Sequence, residues 1–403
     1  MLDFYSASAR SANATRAVDE CMDIIFGDEA PVDGGIWIFN AGIGFDVKKI
    51  ATAIRQKVPQ ARILGTTCGG VIGREGVGEV LTSMAIMGIQ GPETEAAYSS
   101  VSGFTANTSY EKGLELAKGL KEKLPGVTAA YLLTPGLDTN SDEVLKAFNE
   151  ILPDLIISGG LSSDNYKGIF TEQYVNGVSG SSEAWVVGFA DETLRVATRA
   201  CHGFNAYGEP MTVTKAENNM IIELDNGPAW ETYSAVSGQA EEYLKNALLQ
   251  GGMAIKLQPE LVEEYGSDYL LRLAVAHEDA PDVMFVSATI KEGEQYYLTT
   301  RDENRVFSEQ EKALAALRED ILSHSSDGKV HPVAVFQADC LARGRTLFGK
   351  VLKDEIIEMI QTALSDEGVV PPWLGMYGFG EYCPLGNKNT FHTYTTTLLV
   401  LYR

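Results

Sequence analysis

The chain has little positive charge and no long apolar run. Of its 403 residues, 32 are Lys or Arg and 55 are Asp or Glu, which gives a net charge of -23. Nucleic acids and anionic membrane surfaces would repel such a chain, so neither is expected as a partner. No stretch reaches the roughly 18 apolar residues of a membrane helix, and the first residues lack a secretory signal pattern. We therefore expect a cytoplasmic protein without membrane insertion.

Cysteine and histidine are also scarce. The five cysteines form no Cys-x-x-Cys pair, which argues against a zinc site and fits a reducing compartment. Among the five histidines, His202 follows an apolar stretch and is the best candidate for an axial haem ligand. The haem attachment sequence Cys-x-x-Cys-His is absent, so any haem would be bound non-covalently. The sequence requires no cofactor and shows no residue order typical of a known hydrolase.

Three segments share one pattern of strand, polar loop, helix, short strand and glycine cluster. In each segment, apolar periodicity predicts a strand, a helix and a second strand. In the first segment these elements lie over 36–39, 47–57 and 62–64, and in the second over 131–134, 141–150 and 154–158. In the third they lie over 333–336, 347–364 and 373–374. The stretches "LGTTCGG" and "LGMYGFGE" both follow a closing strand. This indicates a twofold duplication, although βαβ units in general look similar.

Strand-rich segments lie between these units, for example "AWVVGFADETLRVATRACHG". The chain is therefore predicted to be α/β of the mixed α+β type, with two related halves that each contain mixed sheets flanked by helices. The turn Asn226-Gly227-Pro228 precedes a predicted helix start at Ala229 or Trp230. We place the boundary there, which gives an N-terminal domain over 1–230 and a C-terminal domain over 231–403.

The glycine cluster "LGTTCGGVIG" does not match the known phosphate loops. It lacks the Gly-Lys-Ser/Thr ending of a P-loop, and the residues after it predict a turn and a strand rather than a Rossmann helix. One interpretation is a tight turn with close backbone contacts. The other is an anion site formed by the backbone N–H groups of Cys68, Gly69 and Gly70.

Cys340 and Arg343 form the sharpest candidate pair. A guanidinium close to a thiol would favour the thiolate and lower its pKa, and arginine is a natural clamp for carboxylates. The alternative is a buried cysteine whose neighbouring arginine is paired with Asp339. Glu381, flanked by glycines, could accept an ammonium group or could be an ordinary turn residue.

Taken together, "ELDNGPAWETY", "ADCLARGRTLFG" and "GMYGFGEYCP" resemble the FIST family, which has paired N-terminal and C-terminal sensory domains. The ordered set covers essentially the whole chain. It comprises Gly159-Gly160 with Asp164, the junction around Asp225 to Tyr233, Cys340 with Arg343, and Gly380-Glu381. One departure is the final motif, where His392-Thr393-Tyr394-Thr395 lacks the asparagine of the family pattern.

The resemblance implies a small-ligand sensor, with an amino acid or small carboxylate as the ligand. No segment outside the two halves is long enough for an output domain, so we expect a stand-alone sensor that acts on a separate signalling protein, as a monomer or a homodimer. The expected ligand-binding residues are Cys340, Arg343, Gly378, Gly380, Glu381, Gly159, Gly160, Asp164, Cys68, Gly69 and Gly70. The alternatives are a non-covalent haem sensor of nitric oxide using His202 and an enzyme with Cys340 as nucleophile.

Overall fold

The computed structural model describes residues 1–238, 252–277, 280–286 and 288–403. Across these residues helices account for 28% and strands for 40%, so the fold is mixed α+β, as the sequence predicts. None of the helices in these ranges is both long and apolar enough to cross a membrane.

The first 189 residues contain two copies of the same eight-element unit. The first repeat consists of β1 (Asp3–Arg10), α1 (Ala14–Phe26), β2 (Ile36–Gly42), α2 (Val47–Lys57), β3 (Arg62–Cys68), β4 (Val71–Gly73), β5 (Gly76–Gly78) and β6 (Ser83–Gln90). The second consists of β7 (Ala96–Val101), α3 (Ser109–Lys123), β8 (Ala129–Thr134), α4 (Ser141–Ile151), β9 (Ile156–Leu161), β10 (Gln173–Val175), β11 (Val178–Gly180) and β12 (Ala184–Phe189).

The third repeat begins with β13 (Arg195–Cys201) and is interrupted by an inserted sheet. The insertion contains β14 (Phe204–Glu217), β15 (Met220–Leu224), β16 (Gly227–Pro228), α5 (Ala229–Ser237), β17 (Met253–Lys256), α6 (Pro259–Tyr265), β18 (Tyr269–Arg272), β19 (Ala274–His277), β20 (Ala280–Val286) and β21 (Gln295–Arg301). The repeat then continues with α7 (Glu303–Leu322), β22 (Pro332–Cys340), α8 (Arg345–Ala363), β23 (Trp373–Gly378), β24 (Glu381–Leu385), β25 (Lys388–His392) and β26 (Thr396–Tyr402).

Each repeat builds most of one six-stranded sheet and gives a hairpin to another. The strand orders are β1-β6-β2-β3-β10-β11, β7-β12-β8-β9-β24-β25 and β13-β26-β22-β23-β4-β5. In each of these three six-stranded sheets the two central strands are parallel, as β2 is to β3. A helix joins them, because a parallel pair needs a crossover connection. The last two strands always come from another repeat, so the three repeats are interlocked.

The three sheets surround one central core. Apolar side chains of all three sheets, such as Met87, Trp185 and Phe336, form this core, and the rings of Tyr131 and Phe336 lie 5.0 Å apart. The outer faces are covered by helix pairs, namely α1 with α2, α3 with α4 and α7 with α8. The arrangement is therefore a three-sided body with sheets inside and helices outside.

The repetition in the topology is threefold, whereas the glycine motifs had indicated a twofold duplication. All three segments were recognised in the sequence, but only two were matched by their glycine motifs, because eleven residues separate β9 from β10 in the second repeat. Residues 204–301 also separate the first strand of the third repeat from the rest of that repeat. The predicted domain boundary at residue 230 falls in α5, inside the inserted sheet, and stays a prediction.

Candidate functional site

In each repeat a link joins the second parallel strand to the exchanged hairpin, and the three links meet where the three sheets join. We call them the first crossing (β3 to β4), the second crossing (β9 to β10) and the third crossing (β23 to β24). In the first crossing the Gly69 N–H donates to Tyr377 O (3.2 Å), and the Tyr377 N–H donates to Gly70 O (2.9 Å). In the third crossing the Leu161 N–H donates to Gly380 O (2.9 Å), and in the second the Thr67 N–H donates to Glu172 O (2.9 Å). The two glycine clusters that the sequence picked out are thus brought together, because Gly69 and Gly70 of the first cluster bond to Tyr377 of the second.

The glycines of the crossings are explained by close backbone packing. A Cβ atom at Gly160 would lie 2.6 Å from Gly380 O, and one at Gly378 would lie 2.7 Å from Leu161 O. A Cβ at Gly69 would lie 2.8 Å from Asp164 O. Gly159 also has a φ of +136°, which favours glycine. This packing accounts for these four glycines without a ligand, and the ligand-binding role predicted for them stays a prediction.

Asp339 and Arg343 form a buried ion pair where β22 ends. The Arg343 Nε donates to Asp339 Oδ1 at 2.8 Å, and both side chains are at most 3% exposed. Arg343 Nη1 donates to His202 O at 2.8 Å, and the Thr396 hydroxyl donates to the other Asp339 oxygen. Burial raises the pKa of Asp339, while Arg343 acts in the opposite direction. The geometry therefore matches the alternative in which Cys340 is buried and Arg343 is paired with Asp339.

Cys340 is buried, and its pKa is raised well above the usual thiol value. The main cause is burial, followed by the nearby Glu381 carboxylate. This reverses the expectation that Arg343 lowers the pKa, because the Arg343 charge is already paired with Asp339. A protonated, buried thiol is a poor nucleophile.

Glu381 is the residue at this site that the fold leaves without hydrogen bonds. Its side chain is fully buried, and neither carboxyl oxygen has a hydrogen-bond partner. The Thr395 N–H and the Cys340 thiol are near enough to favour the ionised form, but neither makes a hydrogen bond of normal geometry. Burial, aided by Asp339, raises the pKa of Glu381 well above the usual carboxyl value. An unpartnered buried carboxyl costs free energy, so it calls for an explanation.

The threefold topology provides two positions equivalent to Glu381. Glu381 is the first residue of β24 and pairs with Gly160; Gln173 is the first residue of β10 and pairs with Thr66. Val71 has the same place in β4 and pairs with Met376. Gln173 donates to the hydroxyls of Ser162 (2.7 Å) and Thr171 (3.2 Å) and accepts from the Glu183 N–H (3.3 Å). The acid in the third repeat is thus not a requirement of the fold.

The Asp164 carboxylate is bonded to its own loop. Its carboxylate accepts backbone N–H groups from Lys167, Gly168, Ile169 and Phe170 at 2.8–3.2 Å. These bonds hold the loop that follows β9, and the side chain is buried. Its oxygens are thus already used by the chain, and the ligand-binding role predicted for Asp164 stays a prediction.

His202 does not fit the role of a haem ligand in this structure. The Phe204 N–H donates to Nδ1 (2.9 Å), so Nε2 carries the proton and donates to Tyr269 O (3.0 Å). Burial lowers the pKa of His202 to about 3, which keeps the ring neutral. Both nitrogens serve the backbone, and a metal would have to displace one of these bonds. Across the described ranges no group of three or more His, Cys, Asp or Glu side chains could hold a metal ion.

Sequence reasoning missed a second polar network beside the site, centred on Glu79. This buried carboxylate accepts the Arg345 N–H at 3.0 Å, where α8 begins, and lies 3.4 Å from Lys353 Nζ. The Tyr166 hydroxyl donates to it as well. Burial raises the pKa of Glu79, opposed by the Arg345 N–H and Lys353. The available signal was a glutamate inside the strand-like run "GVGEV".

His392 was not predicted to lie at the site, because the closing motif that contains it departs from the family pattern. It pairs with Glu381 across the hairpin and is fully buried. Tyr265 donates to Nδ1 (3.2 Å), Nε2 donates to Cys383 O (3.1 Å), and burial lowers the pKa of His392 to about 3. The ring is therefore a neutral neighbour of Glu381.

Comparison with protein families gives two consecutive matches. The FIST N domain model matches residues 36–227, and the FIST C domain model matches residues 229–384. No protein of curated function matches the chain. FIST domains are described as small-ligand sensory domains of signalling proteins. Since the two models together cover most of the sequence, this chain belongs to the FIST family.

Proposed function

We propose that this protein is a sensor that binds a small ligand at Glu381 and Cys340 and acts on a separate signalling protein. The ligand classes considered are amino acids and small carboxylates, and the proposed location is the cytoplasm, as a monomer or a homodimer. The glycines of the first and third crossings would frame the site, and Arg343 would fix its position through Asp339.

The observation that supports this proposal is the state of Glu381. A buried polar group without a partner typically costs about 1–3 kcal/mol. Gln173 and Val71 occupy the equivalent positions without any such cost, one with all its bonds made and the other without polar atoms. A ligand that donates hydrogen bonds to Glu381 would recover this free energy on binding.

A route for signalling follows from the elements around the site. Because Glu381 is fully buried, a ligand reaches it only if at least one element packed on it moves. Arg343 lies two residues before α8, and Glu79 holds the first N–H of that helix. We infer that ligand binding changes the position of α8, whose outer surface a partner protein would recognise.

A thermal-shift screen tests the proposal. The twenty amino acids and a set of small carboxylates would be added to the wild type, to Glu381→Gln and to the matched control Thr134→Val. A ligand at a hundred times its Kd stabilises the protein by about 2.7 kcal/mol. We expect at least one compound to raise Tm in the wild type and the control but not in Glu381→Gln. Equal shifts in all three proteins would place the ligand elsewhere.

Two further measurements decide the alternatives. In the haem alternative, adding hemin would give a Soret band that His202→Ala abolishes. We expect a spectrum without this band, because both His202 nitrogens are bonded to the backbone. In the enzyme alternative, iodoacetamide would label Cys340 quickly in the native state. We expect slow labelling that becomes fast only in denaturant, because the thiol is buried and its pKa is raised.

A further inference from the structure

We propose that the ligand meets Glu381 with a cationic amine, amidine or guanidinium group, and that Arg343 remains paired with Asp339 in the complex. This inference rests on the proposed function and specifies the chemistry of the same site. It separates two roles that the sequence had combined, since Arg343 was expected to hold a carboxylate and Glu381 an amine.

The first argument is the balance of donors and acceptors. Two carboxylate oxygens offer about four acceptor positions, and none is used by a protein donor in normal geometry. Ammonium, amidinium and guanidinium groups carry donors only, so they complement such a site. A ligand carboxylate carries acceptors only and would leave Glu381 as unsatisfied as before.

The second argument is the charge around Glu381. From β22 it faces Asp339 and Cys340, and from the turn after β22 it faces Arg343. The Asp339 and Arg343 charges compensate each other through a direct 2.8 Å contact. The Cys340 thiol is protonated, because its pKa is raised.

The remaining neighbours of Glu381 add no charge. Thr395 contributes a backbone N–H, and His392, opposite Glu381 on β25, is neutral because its pKa is about 3. One negative charge is therefore left without compensation when Glu381 ionises, and one ligand cation would match it.

The third argument is that Arg343 is committed. Its Nε is bonded to Asp339 and its Nη1 to His202 O, in a fully buried position. A ligand carboxylate that took the Nε of this arginine would displace Asp339, which would leave a buried carboxylate without its counter-ion. The same ligand would also bring a third negative group next to Asp339 and Glu381.

Binding of a cation is therefore linked to a proton. Burial raises the pKa of Glu381 in the free protein, whereas a bound cation stabilises the ionised form. Binding then releases one proton wherever free Glu381 is protonated. In that range the affinity rises up to tenfold per pH unit, and it levels off above the raised pKa.

The test uses matched sets of three compounds: an amino acid, the amine obtained by removing its carboxyl group, and the acid obtained by removing its amino group. Leucine, isoamylamine and isocaproate form one such set. Thermal shifts would be measured on the wild type, Glu381→Gln and Thr134→Val between pH 6 and pH 8. We expect amines and amino acids to raise Tm more at higher pH, the acids to have no effect, and Glu381→Gln to lose the response. Calorimetry of the best amine in buffers of different ionisation enthalpy should show one proton released.

The outcomes separate this inference from the proposed function. Stabilisation by the acids that depends on Glu381 would overturn the cationic ligand and leave the site in place. Stabilisation that persists in Glu381→Gln would overturn the site itself, and so would the absence of any shift across the sets. Should Glu381→Gln fold poorly, Glu381→Met gives the same comparison, because the equivalent position in the first repeat is apolar. Affinity that does not change with pH, together with no proton release, would also contradict the inference.

Discussion

The second and third crossings have the same backbone arrangement and opposite polar states. Gln173 and Glu381 each begin a hairpin strand that pairs with a strand of another repeat. Gln173 makes three hydrogen bonds to its surroundings, whereas the Glu381 carboxyl makes none. The backbone bonds that interlock the repeats are thus independent of the residue at this position. A position the fold can fill with glutamine or valine carries an acid only in the third repeat.

The same contrast appears one strand away. Thr134 in β8 and Asp339 in β22 occupy equivalent places, because their partners Leu161 and Tyr377 each donate an N–H to the residue before an exchanged hairpin strand. The Thr134 hydroxyl shares a neutral hydrogen bond of 2.9 Å with Tyr382, while Asp339 holds the Arg343 charge. Of these two places, the one in the third repeat holds a buried ion pair, Asp339 with Arg343, next to the residues of the proposed site. We infer that ligand recognition was added to one of three similar frameworks.

The largest effect is expected from removing one charge of the buried pair. Asp339→Asn leaves Arg343 buried without its counter-ion, which should lower the free energy of unfolding by about 3–5 kcal/mol. Thr134→Val, the matched change in the second repeat, removes one neutral hydrogen bond and should cost about 1 kcal/mol. Urea unfolding monitored by circular dichroism measures both. Equal losses in the two variants would mean that the third repeat is not electrostatically distinct.

An intermediate effect is expected from removing the polar atoms of Gln173. Gln173→Met keeps the volume but leaves the Glu183 N–H and two hydroxyl groups without their partner, for an expected cost of about 1–3 kcal/mol. Glu381→Met should cost less, because no bond of normal geometry is lost there. The same unfolding experiment decides. A greater loss for Glu381→Met would show that Glu381 supports the fold.

Much of the fold could be predicted from the sequence, because the helices and parallel strands have clear apolar periods. The helix over 47–57 was predicted with its observed bounds, and the helix predicted over 141–150 ends one residue before the end of α4. The strands were predicted too short at their ends. Asn40, Thr66 and Asp339 are polar residues buried inside strands, and a polar residue after an apolar run normally indicates a loop.

The site was predicted in part. The sequence indicated that Cys340, Arg343 and Glu381 belong together, and the structure places them side by side. It could not decide between the two roles of Arg343, since that depends on how β22 turns into the segment before α8. It also could not predict that the loop after Asp164 surrounds its carboxylate, because the four N–H groups of residues 167–170 converge on it only in the folded backbone. Glu79 lies far from α8 in sequence and reaches it through the exchanged hairpin.

The last and most direct test compares the free energy of unfolding of the wild type and of Glu381→Gln as a function of pH, without ligand. Because folding raises the pKa of Glu381, its contribution to stability is present below the usual carboxyl pKa and is lost as the pH rises through the raised value. Glutamine does not titrate. We expect Glu381→Gln to match the wild type near pH 5 and to be the more stable protein at pH 8. A variant less stable than the wild type at pH 8 would mean that the carboxyl is structural, and would contradict the account.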